Sequence, residues 1–247
     1  MRGVRTARWA FGSDSSTIAQ STPVPALEQL IHALFIVPLT LLPIINPLSS
    51  APIFMTTAGH DPENTRRLAR QVALNCWYVI LGALFVSTYV LDFFGISLPI
   101  VRIGGGLLVA ASAWRMLNRS EDDEVRAAVA REHVGMLSPK AIAERSFFPL
   151  TFPLTTGPGT IAAAIALGAT LPREPARYIV AAVVAAVGAT LTVVTVYLVY
   201  RNAPSLLARL GAVGTLVMSR LMAFVLLCIG IEILWTGWSE LNHIGVP

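Results

Sequence analysis

Two short stretches carry the residue types from which a binding site can be built. The first reads Pro38-Leu39-Thr40-Leu41-Leu42-Pro43-Ile44-Ile45-Asn46-Pro47-Leu48-Ser49-Ser50-Ala51-Pro52. The second reads Pro149-Leu150-Thr151-Phe152-Pro153-Leu154-Thr155-Thr156-Gly157-Pro158-Gly159-Thr160. Proline removes a backbone donor and its ring clashes with the carbonyl four residues back. It also pushes the preceding residue out of helical geometry, and Gly157 and Gly159 loosen the second stretch further. Neither stretch is expected to be a straight helix. Each should split into two half-helices near the membrane midplane, leaving unpaired N–H groups at one new end and C=O groups at the other. Such ends attract a carboxylate or a cation. The candidate substrate-binding set is therefore Asn46, Pro47, Ser49, Ser50, Thr155, Thr156, Gly157, Pro158, Gly159 and Thr160. A pair of proline kinks used only for packing is the alternative reading.

Three charged residues interrupt otherwise apolar segments, namely Arg102, Arg220 and Glu232. A charged side chain at the centre of a span costs about 2.5–3.5 kcal/mol on insertion scales. Coupling or charge pairing would repay that cost. Snorkelling to the headgroups is the other reading for the two arginines, and an interfacial carboxylate is the other reading for Glu232. Nothing in the chain suggests a catalytic residue: there is no Ser–His–Asp arrangement, no paired glutamates and no H-E-x-x-H. The histidines His32, His60, His133 and His243 are scattered, and Cys76 and Cys228 read as small buried residues. No metal, no cofactor and no enzymatic activity are expected. Gly104-Gly105-Gly106 lacks the strand and helix context of a phosphate or dinucleotide loop and is better suited to close helix approach.

These residues sit in a chain built for lipid. Of its 247 residues, 55% are hydrophobic and only 13% charged, with mean hydropathy +0.67. Soluble domains carry about 25% charged residues, so too few charges are present to cover a watery surface. No Asp, Glu, Lys or Arg occurs in residues 29–59, 71–91, 146–172 or 178–200. A span needs roughly 20 apolar residues. Six spans follow, at 29–57, 71–91, 96–117, 147–170, 177–200 and 212–238. The runs are too long and continuous for barrel strands. The fold class is an all-α membrane protein, and its first partner is the lipid bilayer.

The net charge of +4 does not point to nucleic acid, because the basic residues lie mostly in loops. Arg2, Arg5, Arg8, Arg173 and Arg177 fall on one side. Arg66, Arg67, Arg70, Arg115, Arg119, Arg126, Arg131, Lys140, Arg145, Arg201 and Arg209 fall on the other. The richer side should be cytoplasmic, which puts both termini in the periplasm. Trp77, Tyr78, Trp114, Tyr178, Tyr197, Tyr200, Trp235 and Trp238 read as aromatic belts near span ends.

The organisation reads as an extension over residues 1–27, a three-helix repeat over 28–117, a cytoplasmic linker over 118–145 and a second repeat over 146–240. The linker holds Glu121, Asp122, Asp123 and Glu124, and its middle can form a short surface helix from Glu124 to His133. Sliding the first half by 111 residues lays Pro38-Leu39-Thr40 on Pro149-Leu150-Thr151, Pro47 on Pro158 and Ala51 on Ala162. Arg102 and Arg220 correspond at an offset of 118. With three spans per half, the second half enters from the opposite side, so the repeats are inverted. That is a recurrent transporter design.

At this point Pro38 to Phe54, with Ile45-Asn46-Pro47, resembles the first conserved region of the MarC family of bacterial membrane proteins. Phe148 to Ile165 resembles its second, and Arg102 with Gly104, Gly105 and Gly106 is similar to its third-span pattern. The resemblance covers residues 28–240 and implies a six-helix inner-membrane protein related to small amino-acid exporters of the LysE type. Some members are classed as neutral amino acid transporters, others carry a name linked to antibiotic resistance. Carried over, it implies that Asn46, Pro47, Gly157, Pro158 and Gly159 line the central site. The expected function is secondary transport of a small solute by alternating access, with a neutral amino acid as the substrate and H+ or Na+ as coupling ions. A homo-oligomer is compatible with the sequence. A channel, a scaffold and a lipid-handling protein are the alternatives.

Overall fold

A computed structural model of the protein describes residues 26–59, 61–118, 139–172 and 174–242. The acidic cluster at Glu121–Glu124, the surface helix expected from Glu124 to His133 and the first 25 residues lie outside that range. Among the described residues the chain is helical, without strands. The elements are α1 (Ala26–Ile45), α2 (Pro47–Ala58), α3 (Pro62–Phe94), α4 (Leu98–Leu117), α5 (Pro139–Arg145), a wide coil (Ser146–Thr155), α6 (Pro158–Ala169), α7 (Pro175–Arg201) and α8 (Ala203–Leu241).

Proline placement separates ordinary helix starts from the breaks. Pro62, Pro99 and Pro175 stand in the first turns of α3, α4 and α7, where the missing N–H had no helical partner anyway. Asp61 caps α3 by accepting the Glu63 N–H at 3.1 Å. Gly95, at φ 65°, ends it in the left-handed conformation that glycine adopts without steric cost. Pro38, Pro43, Pro52, Pro149 and Pro153 instead fall inside their elements.

Helices α3, α4, α7 and the Val213–Leu241 part of α8 are each long and apolar enough to cross a membrane. Two bent pairs complete the set. α1 meets α2 at 56°, and the segment Ile142–Thr155 meets α6 at 70°. Counting each bent pair as one span gives six. The outside is apolar: Leu39, Tyr89, Phe93 and Val213 are all more than two-thirds exposed, as suits a surface facing lipid.

Packing is set by small residues. α4 lies against α8 along its length. A Cβ on Gly106 would sit 2.5 Å from the Leu234 nitrogen, and one on Gly230 would sit 2.5 Å from the Ala110 nitrogen, so the two backbones approach as only glycine permits. α3 packs between α6 and α7, and α1 lies on α7. The buried positions of α3 and α7 follow one pattern. Adding 120 to Thr65, Leu68, Ala69, Val72, Ala73, Cys76 and Ile80 gives Ala185, Gly188, Ala189, Thr192, Val193, Val196 and Tyr200, which are the buried residues of α7.

Three sequence readings change here. Helical structure begins at Pro139, ahead of the expected start at 147. Cys228 is exposed rather than buried, because α8 is apolar all round and only part of it faces protein. Tyr200 belongs to no aromatic belt. It is fully buried, drawn inward by partners from both broken spans.

Candidate functional site

The first break turns on Asn46. Its backbone is left-handed, at φ 46° and ψ 61°, a conformation that asparagine tolerates better than most side chains. Pro47 follows as the first residue of α2 and is buried. The Asn46 Oδ1 accepts the Ser49 N–H at 3.4 Å, and the Ser50 hydroxyl donates to the Asn46 carbonyl at 2.9 Å. Two polar atoms at this break are buried without any hydrogen-bond partner, the Asn46 Nδ2 and the Ser49 Oγ.

The second break is built differently. The expected first half-helix is a wide coil in which Phe148 and Phe152 take extended backbone angles. Its polar groups bond across five residues: the Thr151 hydroxyl donates to the Ser146 carbonyl, Thr155 to Leu150 and Thr156 to Thr151. Gly157 is extended rather than left-handed and supplies α6 with no side-chain cap. A Cβ there would press within 2.8 Å of the Pro153 carbonyl oxygen. Gly159 is helical and serves by closeness: a Cβ would meet the Val109 Cγ2 of α4 at 2.7 Å. Pro158 is exposed, whereas Thr160 is buried.

Tyr200 joins the two breaks, a role the sequence did not signal. Its ring stacks on Phe54 of α2 at 4.5 Å between centroids and 6° between planes. Its hydroxyl lies 2.8 Å from the Thr155 hydroxyl and also meets the Ser50 side chain. Beneath it the Cys76 thiol of α3 meets Thr151 and Thr156. Asn46, Ser50, Thr151, Thr155, Thr156 and Thr160 are all at most 6% exposed. The centre is thus a cluster of buried hydroxyls and one amide.

The charged candidates lie on α4 and α8, where Arg102 lines a small crevice with Gly159 of α6. Arg102, near the start of α4, pairs with Glu240 near the end of α8. Arg220 of α8 donates to the Leu117 carbonyl at the end of α4, where a cation also meets the helix dipole favourably. The two arginines thereby tie α4 and α8 together at their opposite ends. Glu232 is exposed on α8. No group of three or more His, Cys, Asp or Glu among the described residues is placed to hold a metal ion.

The family model described as "MarC family integral membrane protein" matches residues 31–241. The chain is 31% identical over 209 residues to the inner membrane protein MarC of Escherichia coli O157:H7, covering 82% of this chain and 94% of that one. It is 30% identical over 204 residues to the inner membrane protein MarC of Shigella flexneri, covering 81% and 91%. No solved structure matches.

Proposed function

The chain belongs to the MarC family of integral membrane proteins, and from that premise we propose that it is a secondary transporter moving a small solute, chemically unchanged, by alternating access around the two broken spans. One observation carries this reading. Asn46 Nδ2 and Ser49 Oγ are buried and unpartnered, and each such group costs about 1–3 kcal/mol. A solute with polar atoms would satisfy both. In the first turn of α2 the Leu48 N–H is the group left for a carboxylate, since Pro47 has no N–H and the Ser49 and Ser50 N–H groups bond to Asn46. Hydroxyls of Ser50, Thr155 and Thr160 are suited to an ammonium. A small neutral amino acid offers both groups, and H+ or Na+ would drive its movement. The relatives' names support the inner membrane as the location.

Inverted repeats fit this reading. The one-to-one burial pattern of α3 and α7, the arginines at opposite ends of α4 and α8, and the two bent spans all exchange between halves. Rocking one half against the other would open the hydroxyl centre to either side in turn.

The test is uptake of radiolabelled neutral amino acids into proteoliposomes. Saturable uptake abolished in Asn46→Ala and Gly157→Leu, both still folded, supports the site. Saturable uptake unchanged in both would remove it. The tight closure of the centre favours a second reading, a non-transporting membrane module. That reading predicts no flux of any solute in the same assay, while a channel predicts flux without saturation.

A further inference from the structure

One cavity lies away from the broken spans. It is an open groove of about 820 Å³ on the outer face between α3 and α7. The helices run antiparallel there, so Trp77 of α3 donates its indole N–H to Thr190 of α7 at 3.0 Å, while the start of α3 lies beside the end of α7. The groove is two-toned. Its floor is apolar, with Leu74, Trp77 and Val194, and its rim at the start of α3 carries Arg66, Arg67 and Arg70. Arg67 pairs with Glu63 at 2.8 Å. Arg66 and Arg70 are exposed, with no acidic partner among the described residues. Arg201, the last residue of α7, adds a further positive charge, its guanidinium 6.0 Å from the Tyr197 ring that lines the same end.

We infer that this groove binds one anionic phospholipid, its phosphate held by Arg66 and Arg70 and an acyl chain lying along Leu74, Trp77 and Val194. The argument is charge complementarity joined to shape. Basic residues at the membrane surface attract anionic headgroups, and an apolar trough directly below them suits a chain covalently attached to that headgroup. A free anion would leave the trough uncovered. A second copy of the protein is disfavoured on physical grounds. Two copies related by an axis along the membrane normal would set their arginine rims at one level, face to face, and like charges opposed across an interface are costly.

Native mass spectrometry of the purified full chain in detergent tests the site, with phosphatidylglycerol, phosphatidylcholine or inorganic phosphate added separately. Phosphatidylglycerol should remain bound one to one, in preference to phosphatidylcholine. The double variant Arg66→Gln/Arg70→Gln should lose at least about tenfold of that retention. Val194→Trp, which fills the trough and leaves every arginine in place, should weaken it as well, and it keeps the proposal testable if the double variant does not fold. Equal retention of the two lipids overturns the proposal. So does displacement of phosphatidylglycerol by equimolar inorganic phosphate, which would mark a free-anion site. A dimer that Val194→Trp dissociates would assign the groove to a second copy instead.

Discussion

The hydroxyls of Thr155 and Tyr200 lie 2.8 Å apart, and the ring that bears the second is stacked on Phe54. One side chain of α7 therefore holds both broken spans, α2 through its face and the wide coil through its oxygen. The breaks are not two independent kinks, because Tyr200 touches both.

Tyr200→Phe keeps the stack and removes the hydroxyl that meets Thr155 and Ser50, while Thr155 retains its bond to Leu150 and Ser50 its bond to Asn46. The expected loss is about 0.5–1.5 kcal/mol. Tyr200→Ala removes the stack too and should cost about 3–5 kcal/mol. Thermal unfolding in detergent separates the two. Equal melting temperatures for both variants would mean that the ring supports nothing.

Asn46 combines a backbone role with a chemical one, and two substitutions part them. Asn46→Ala loses the cap and the tolerance of a positive φ, at a cost of about 1 kcal/mol or more. Asn46→Gly keeps the left-handed backbone and should cost only a few tenths. Both remove the amide, so both should abolish solute uptake. Full uptake by Asn46→Gly would reduce Asn46 to a hinge.

The neighbouring glycines of α4 should differ sharply. Nothing lies within 4 Å of a Cβ built on Gly104, so Gly104→Ala should be neutral or stabilising by up to about 1 kcal/mol through helix propensity. Gly106→Ala drives its methyl into the backbone of α8 and should destabilise by about 1–3 kcal/mol. Size-exclusion profiles after graded heating would rank them, and a reversed order would contradict the close α4–α8 approach.

Arg102 and Glu240 pair in a site where the glutamate side chain remains 37% exposed. Solvent screening limits such a pair to about 0.2–1 kcal/mol. A double-mutant cycle with Arg102→Ala and Glu240→Ala, read by thermal unfolding, should return a coupling in that range. Solute uptake should persist in Glu240→Ala, because the described partner of Glu240 is Arg102 and not a residue of either break.

Much of this architecture was legible from the residues. Apolar runs with few or no charges marked the spans, so the expected 96–117 and 177–200 meet α4 at Leu98–Leu117 and α7 at Pro175–Arg201. Internal prolines marked where two rods bend. What lay hidden depended on partners distant in sequence. Proline predicts a bend but not the residue that absorbs it, and that residue is Asn46 rather than a glycine. Tyr200 sits at a span end, where belt statistics speak for the interface, and only its contacts with Phe54 and Thr155 place it inside. Cys228 could not be told from a buried residue because α8 is apolar on every side, so periodicity carries no information there. The groove between α3 and α7 was equally unreadable, since Arg66 and Arg70 look like ordinary loop-proximal charges until Tyr197 and Val194 are set beside them.

The Cys76 thiol, fully buried against Thr151 and Thr156, gives the molecule an intrinsic gauge. Replacing Cys228 with serine leaves one thiol in the chain, at the heart of the closed centre. Any excursion that wets this centre uncovers a nucleophile, and the speed of its alkylation by a water-soluble maleimide becomes a clock for the opening. A solute that favours the sealed form slows that clock, one that props the halves apart hastens it, and the ranking of ligands can be read without measuring flux at all.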